Sequence, residues 1–362
     1  MSKPQSEDSG TKPVAWWSKI PGGQRLIRDY SLARSTVFLL ESWPLQILNR
    51  VVTGRWGQDF FPPEDFNLAA LAAGRKLIDQ DAERAASGLF PISLLIPTNG
   101  ITHLRSLFGV LTDGLRVAWR MKNNQHHDLD HVDDQELKSM PEYYQRNFHF
   151  QSDGYLSASS AARYEHQVEI LFKGAAGAMR RLSLVPLVKK YHGQRVRLLE
   201  LGAGTGSSTQ QVAASLPESR VTAVDLSPAY LDYARKFSIK TSNVDFVQGD
   251  ATQLNFKDES FHGAFSVFMF HELPRKEREE VIAEAFRVLT PGGQFVIVDS
   301  LQWNDNPALN WGLERFPQDF HEPFFKNYVK TPLEELLVKS GFKVVHKELG
   351  LLAKCVVGEK PL

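Results

Sequence analysis

The chain has 362 residues, more than one domain usually contains, so one large domain or two unequal ones are expected. Apolar residues make up 42% and charged residues 23%, which excludes collagen-like, disulfide-scaffold and wholly disordered proteins. The 42 basic side chains balance 42 acidic ones, so no global field favours a nucleic-acid partner. The single cysteine, Cys355, excludes a disulfide framework and a cysteine-zinc site, and it fits a reducing cytoplasm.

The beginning of the chain is polar and charged. Residues 1–14 read as a solvated tail without the apolar core of a signal peptide, so we expect a cytoplasmic protein. The longest uncharged stretch, residues 85–104, is interrupted by Pro91, Pro97 and Gly100 and is only about half apolar. The sequence therefore predicts no transmembrane segment.

A helical pattern runs from about residue 24 to residue 122. Apolar residues recur there at spacings of three and four, in a first stripe of Leu40, Trp43, Ile47, Leu48, Val51 and Val52. We expect these stripes to be buried between packed helices, in a mainly helical N-terminal domain of residues 15–155. A membrane-surface helix over residues 35–52 is the alternative, but its polar side is not a Lys/Arg face.

Imidazoles and carboxylates crowd together in residues 126–134. Such residue types can bind metals, but this stretch is acidic, and no apolar residues alternate with its ligands to hold a geometry. The sequence favours a solvated linker or a loop leading into the next helix, and we expect no metal site.

The second part of the chain, residues 156–362, alternates short apolar runs with helical patterns. Runs at residues 196–201, 221–224, 244–247, 264–268 and 295–298 have strand length, and two β-rich runs at 342–345 and 352–357 follow a helix. This order predicts an α/β fold, a Rossmann-like doubly wound sheet preceded by the helical domain.

The first strand leads into a glycine-rich turn with Glu200 just before Gly202, Gly204 and Gly206. Glycines there permit a tight turn and let a ligand touch the backbone. The spacing is GxGxG, whereas a dinucleotide fingerprint would place its third glycine at Ser207. A carboxylate at Glu200 repels phosphate and attracts an ammonium group, so we expect a ligand that carries an amine.

Two further acidic residues end the next strands. Asp225 follows the second strand, where a carboxylate can accept both hydroxyls of a ribose, and Asp250 follows the third, where an adenine amino group could be read. An ammonium group, a ribose and an adenine are together the groups by which a protein recognises S-adenosylmethionine.

The glycine turn, Asp225, Asp250 and the Pro291-Gly292-Gly293 turn follow one another in the order found in class I S-adenosylmethionine-dependent methyltransferases. Residues from about 164 to 359 therefore resemble that family. The segments 225–227 and 289–293 are most similar to the small-molecule branch that includes ubiquinone/menaquinone C-methyltransferases. The resemblance implies a seven-stranded sheet whose last strand is antiparallel. It also implies cofactor contacts at Leu226, Ala251 and Phe268.

Methyl transfer from a sulfonium needs alignment and desolvation more than acid–base chemistry. A base matters only where the acceptor holds its proton at neutral pH. His271, just after the fourth strand, lies where the family places methyl transfer and is our candidate base. The alternative is a histidine that caps this loop or binds Glu272.

Aromatic residues are dense on both sides of the predicted cofactor site. Upstream, they favour a substrate-lining role for Tyr144, His149, Tyr155 and Tyr164, or an aromatic interface between the two parts of the chain. The insertion after the fifth strand offers Phe320, His321 and Tyr328 as a pocket wall, or as packing against the N-terminal helices.

These observations predict a methyltransferase of a small-molecule acceptor whose reacting atom is O, S or C. A quinone-like lipid from a membrane is an alternative acceptor and would give the N-terminal helices a peripheral docking role. A domain that binds S-adenosylmethionine without turnover and recruits a protein is another. The oligomeric state does not follow from the sequence.

Overall fold

The computed structural model describes residues 23–54, 62–96, 100–129, 132–238 and 241–362. The predicted tail of residues 1–14 lies outside the described residues, as do Asp130 and His131 of the histidine-rich stretch.

A seven-stranded sheet forms the centre of the fold, in the order β3-β2-β1-β4-β5-β7-β6. Neighbouring strands from β3 to β5 pair in parallel, whereas β7 is antiparallel to both β5 and β6. This confirms the predicted sheet and its antiparallel last strand. The strands are β1 (Arg197–Leu201), β2 (Arg220–Asp225), β3 (Val244–Gln248), β4 (Phe261–Val267), β5 (Leu289–Ser300), β6 (Lys343–Gly350) and β7 (Ala353–Glu359).

Helices cover both faces of this sheet because its central strands are apolar on both sides. On β5, Phe295 and Ile297 enter one buried cluster while Val296 and Val298 enter the other, which is the two-residue period of a strand. The helices of this region are α5 (Ala158–Leu171), α6 (Ala176–Arg180), α7 (Leu184–Tyr191), α8 (Ser207–Ser215), α9 (Pro228–Tyr233), α10 (Arg275–Val288), α11 (Asn310–Asp319), α12 (Phe325–Tyr328) and α13 (Leu333–Lys339).

The preceding region is helical, with α1 (Gly23–Thr53), α2 (Glu64–Ala86), α3 (Gly100–Asn123) and a short α4 (Asp134–Ser139). Helix α2 attaches to the sheet region, since Leu77 joins one of the two clusters that flank the sheet. Arg181 adds a buried, bidentate ion pair to Asp81 of α2, with N···O distances of 2.9 and 2.6 Å.

The predicted burial of the α1 stripe was wrong for most of its members. Leu40, Trp43, Ile47 and Val51 are 54–62% exposed, and only Leu48 and Val52 of the stripe are half-buried. The buried side of α1 holds Ile27, Phe38 and Ser42 instead. Periodicity identified the helix correctly, but a period of 3.6 does not reveal whether another element covers the apolar face.

The histidine-rich stretch is tied to the fold rather than being a plain solvated linker. The ring of His126 stacks on that of His321 at a centroid distance of 4.2 Å. Asp128 accepts a hydrogen bond from Arg120 at 2.9 Å and contacts Asn147 through its backbone.

Among the described helices, none has the length and apolarity needed to cross a bilayer.

Candidate functional site

The glycine turn after β1 adopts a backbone that favours glycine at three positions. Gly202, Gly204 and Gly206 have φ values of +75°, +53° and +79°, all in the left-handed region. A Cβ on Gly202 would lie 2.7 Å from the sulfur of Met269, whereas a Cβ on Gly204 would meet nothing within 4 Å. Gly204 therefore presents its open side to a cavity, and Gly206 supplies the cap of α8.

Asp225 is the last residue of β2, and its side chain holds the glycine turn in place by hydrogen bonding. Its Oδ2 accepts a hydrogen bond from Gly204 N at 2.7 Å, and its Oδ1 accepts one from Ser227 N at 2.8 Å. Burial raises the pKa of the carboxyl, while these backbone donors act in the opposite direction. The carboxylate is held at the cavity wall with lone pairs left for a ligand.

The cavity beside the turn has a volume of about 960 Å³, counting the space at its mouth. Its walls combine backbone from the glycine turn, the Asp225 carboxylate and a group of aromatic rings. The predicted residues that line it are Gly202, Gly204, Asp225, Leu226, Ala251, Phe268, Tyr144, Tyr155 and Tyr164. These walls fit S-adenosylmethionine. They offer a carboxylate for the ribose hydroxyls, apolar rings, and a glycine that a ligand can approach closely.

Three predicted cofactor residues do not line this cavity. Glu200 is 1% exposed, and it accepts a hydrogen bond from Thr209 behind the turn. Burial raises its pKa to about 8, so this carboxyl is poorly suited to attract an ammonium group. Asp250 instead accepts hydrogen bonds from the backbone N–H and the hydroxyl of Thr252, at 2.8 and 2.7 Å, and so caps the following turn. Gly206 is the third predicted residue that does not line the cavity.

A second, mainly apolar pocket of about 630 Å³ adjoins the first. Tyr164, Phe268 and Glu272 line both, so they mark the passage between them. Phe268 has a φ of +57°, an uncommon conformation for a bulky residue, and its ring stacks on Phe172 at 6.0 Å. This arrangement places a mainly apolar pocket directly next to the cavity beside the glycine turn.

His271 lines the second pocket and is paired with Asp299 at the end of β5. The distance from His271 Nδ1 to Asp299 Oδ1 is 2.7 Å, and Asp299 is also held by the backbone N–H of Phe270 at 2.7 Å. Burial by itself lowers the pKa of His271, but the charge and hydrogen bond of Asp299 raise it to about 10. With Nδ1 committed to Asp299, Nε2 is the nitrogen available to a ligand.

Two more carboxyls and a histidine complete the polar part of this region. His149 Nε2 lies 3.2 Å from Glu322 and 3.5 Å from Glu272. Tyr155 donates its hydroxyl hydrogen bond to Glu272 at 2.5 Å. Burial raises the pKa of Glu322 to about 7, while the charge of His149 acts in the opposite direction.

The insertion after β5 contributes to the pocket through residues other than those predicted. Phe316 on α11 and Phe325 on α12 line it, but Phe320, His321 and Tyr328 do not. Tyr328 is buried with its hydroxyl bonded to Ser300 O at 2.6 Å, and His321 stacks on His126. Aromatic density located the correct segment, but the break between α11 and α12 at residues 320–324 sets which rings face inward.

Helix α5 connects these parts. Tyr164 lines both pockets, while the next residue, Glu165, accepts hydrogen bonds from Thr205 of the glycine turn and from Arg180. Neither Glu165 nor Asp299 stood out in the sequence, because each acts through a partner that is distant along the chain.

The sheet topology, the glycine turn and the acid at the end of β2 define a class I methyltransferase domain. Residues 198–293 match the family described as "Methyltransferase domain", so this part of the chain is a methyltransferase domain.

The comparisons give relatives of several acceptor chemistries. The chain is 32% identical over 144 residues to the ubiquinone/menaquinone biosynthesis C-methyltransferase UbiE of Methylobacterium nodulans, covering 39% of this chain and 56% of that protein. It is 31% identical over 157 residues to the O-methyltransferase cnsE of Penicillium expansum, covering 42% and 54%. The chain thus spans about half the length of these relatives.

Among solved structures, the PH0226 protein from Pyrococcus horikoshii OT3 is similar to half of this chain. The two are 25% identical with a TM-score of 0.40, over 50% of this chain and 89% of that one.

Proposed function

We propose that this protein transfers a methyl group from S-adenosylmethionine to a small, largely apolar acceptor that carries an aromatic hydroxyl, such as a phenol or a quinol. The observation that carries the proposal is the position of the His271–Asp299 pair on the acceptor pocket, next to a cavity built by Gly204 and Asp225. A hydroxyl acceptor is favoured because a neutral amine or a thiolate needs no such pair.

Asp225 would hold the ribose hydroxyls, and the open side of Gly204 would let the ligand approach the backbone. When bound, S-adenosylmethionine supplies a methyl group already activated by its sulfonium. The Tyr155, Tyr164 and Phe268 side chains at the junction exclude water and offer faces and edges to a cationic group.

His271 would act on the acceptor's proton. Nε2 would accept the hydroxyl proton, which would leave an oxygen nucleophile for the methyl group that bound S-adenosylmethionine would supply, with the bonding electrons staying on its sulfur. Asp299 fixes the ring so that Nε2 faces the pocket, and its charge stabilises the imidazolium that results. Since the pKa of His271 is raised to about 10, its neutral form becomes more abundant as the pH rises.

The charges around the junction favour a cationic ligand. Asp225, Glu165 and Glu272 line the cavity, and the basic residue that lines it, Arg180, is paired with Glu165. A sulfonium is complementary to this excess of carboxyls, whereas a second phosphate-bearing ligand is not.

The test is the release of S-adenosylhomocysteine from purified protein across matched phenols, quinols, thiols and amines. We expect turnover with aromatic hydroxyls and a large loss in His271→Gln, with S-adenosylmethionine binding retained by calorimetry. Binding without turnover on any acceptor would favour the non-catalytic recruitment module. Preference for thiols or amines, with His271→Gln fully active, would contradict the proposed acceptor.

A further inference from the structure

A cluster of potential metal ligands lies outside the two pockets described above, where three helices meet. Glu41 of α1, His103 of α3 and His166 of α5 each offer one ligand atom, and the three atoms lie within 4.8 Å of one another. His103 Nε2 lies 2.7 Å from Glu41 Oε1, and His166 Nε2 lies 3.2 Å from Glu41 Oε2.

Hydrogen bonding leaves part of this cluster unsatisfied. His166 is 6% exposed, yet its Nε2 has no hydrogen-bond partner, and neither has Glu41 Oε2. Buried polar atoms without a partner carry a desolvation cost, so the pair needs a third group between them. Only the His103–Glu41 contact has the geometry of a hydrogen bond.

The surroundings hold the ligands in place and leave a route to them. The two imidazoles meet edge to face at 4.6 Å, and Phe38 packs on both at 5.4 and 5.5 Å. His103 and His166 also line a cavity open to solvent between α1, α3 and α5. Each arginine of that cavity is already paired with a carboxylate, Arg34 with Glu169, Arg180 with Glu165 and Arg181 with Asp81.

We propose that Glu41, His103 and His166 bind a divalent transition-metal ion, with Zn²⁺ as the best match. Two imidazole nitrogens and one carboxylate oxygen suit this borderline ion, with bonds of about 2.0–2.2 Å. Ligand atoms in a tetrahedral site are roughly 3.3 Å apart, and the three ligand atoms here lie within 4.8 Å of one another. The ion would join three helices, including α5, which also carries Tyr164 and Glu165.

The experiment titrates chelator-stripped full-length protein with Zn²⁺ and measures stoichiometry by calorimetry and the melting temperature by calorimetric scanning. We expect one ion per chain and a rise in melting temperature. Co²⁺ should give the visible absorption of a low-coordinate site. Neither readout depends on methyl transfer.

Glu41→Gln is the decisive variant, because the amide oxygen can still accept a hydrogen bond from His103 while the charge needed by the metal is lost. We expect Glu41→Gln and His166→Ala to weaken Zn²⁺ binding at least tenfold, and His192→Ala, an exposed histidine elsewhere, to leave it unchanged. Circular dichroism checks that each variant is folded. Absence of stoichiometric binding in the wild type, or equal binding by folded Glu41→Gln, would overturn the proposal.

A different observation concerns the outer surface of α1 and α3. From Leu26 to Val51, exposed apolar positions recur along α1 at alternating spacings of four and three residues. On the adjacent α3, Phe108, Leu115 and Trp119 are 51–66% exposed. We name this surface the α1/α3 face. So many large exposed side chains on two neighbouring helices are uncommon unless the surface binds something.

The charges beside the face indicate the partner. The exposed basic residues on the two helices are Arg25, Arg105, Arg116 and Lys122, while the exposed acid, Asp29, is paired with Arg28 at 3.1 Å and with Arg25 at 3.7 Å. A second copy would bring these basic groups toward one another, whereas an anionic bilayer attracts them. Trp43, Trp119 and Phe108 are side chains that insert readily at the headgroup boundary.

We infer that the α1/α3 face docks on an anionic lipid surface. The test is cosedimentation with vesicles of phosphatidylcholine alone or with phosphatidylglycerol. We expect binding to the anionic vesicles that weakens with salt, and at least a tenfold loss in Leu40→Ser/Ile47→Ser. Val338→Ser, which removes an equally exposed apolar side chain from α13, should bind normally.

Two results would overturn this assignment. One is absence of binding to anionic vesicles by folded wild-type protein. The other is a concentration-dependent dimer in analytical ultracentrifugation that the double variant abolishes, which would assign the face to a second copy.

Discussion

His271 and Asp299 form a buried pair across the ends of β4 and β5, with Nδ1 and Oδ1 2.7 Å apart. If Asp299 orients the ring and stabilises its charged form, Asp299→Asn should lower turnover roughly tenfold or more and shift the ascending limb of the pH–rate profile to lower pH. Steady-state rates from pH 6 to 10 measure both effects. A lowered rate with an unmoved profile would leave Asp299 with a packing role only.

The same pair should affect stability. The pKa of His271 is about 10 in the folded protein, above the ordinary value of about 6.5, so its contribution is complete below pH 6.5 and is lost as the pH rises toward 10. The free energy of unfolding of the wild type should therefore fall more steeply over this range than that of His271→Gln. Urea melts at several pH values give the difference, and parallel curves would contradict it.

Asp225 should dominate cofactor affinity. Asp225→Ala removes a carboxylate that lines the cavity and holds Gly204, so we expect affinity for S-adenosylmethionine to fall roughly 10- to 100-fold. Asp250→Ala is the matched control, because that side chain caps its own turn rather than lining the cavity. Calorimetry should separate the two variants, and equal losses would show that the assignment of Asp225 is wrong.

The two glycines of the turn should respond differently to alanine. Gly204→Ala projects a methyl group into the open cavity, so it should weaken cofactor binding, and its loss of stability should be limited to the strain of alanine at a φ of +53°. Gly202→Ala places its methyl group 2.7 Å from Met269 Sδ, so it should also lower the melting temperature by several degrees. Equal melting temperatures, or intact cofactor binding by Gly204→Ala, would contradict this reading of the turn.

Acceptor choice should depend on Phe316 and Phe325 more than on Phe320. Phe316→Ala enlarges a wall of the acceptor pocket and should raise the acceptor KM or admit bulkier phenols, with cofactor affinity kept. Phe320→Ala, one layer behind, serves as the control of similar volume. A larger kinetic effect at Phe320 would restore the original prediction.

The sequence predicted the parts of the site that local pattern determines. Gly204 and Asp225 each follow a strand directly, so their neighbours along the chain disclose their position. The partner of His271 could not be found in this way, because Asp299 lies 28 residues away and meets it only when β4 and β5 pair. Glu165 escaped notice for the same reason, since it contacts the glycine turn 40 residues later.

Burial was harder to predict than helix formation. The spacing of Leu40, Ile47 and Val51 is that of an amphipathic helix, and α1 is indeed helical there. Their exposure depends on what packs on that side, which is a property of the assembled chain. Likewise, Glu200 was expected at the ligand, but its side chain points to Thr209 beneath the turn.

The ion pair of Asp81 with Arg181 makes the sheet region depend on the helical region that precedes it. Helix α2 supplies the carboxylate, and the same helix lays Leu77 beside Leu182 and Gly350 at the edge of the sheet. Deleting the helical part would leave Arg181 as a buried guanidinium without its carboxylate, at a cost of about 3–5 kcal/mol for the broken pair alone. Helix α2 and the sheet should therefore unfold together, as one cooperative unit.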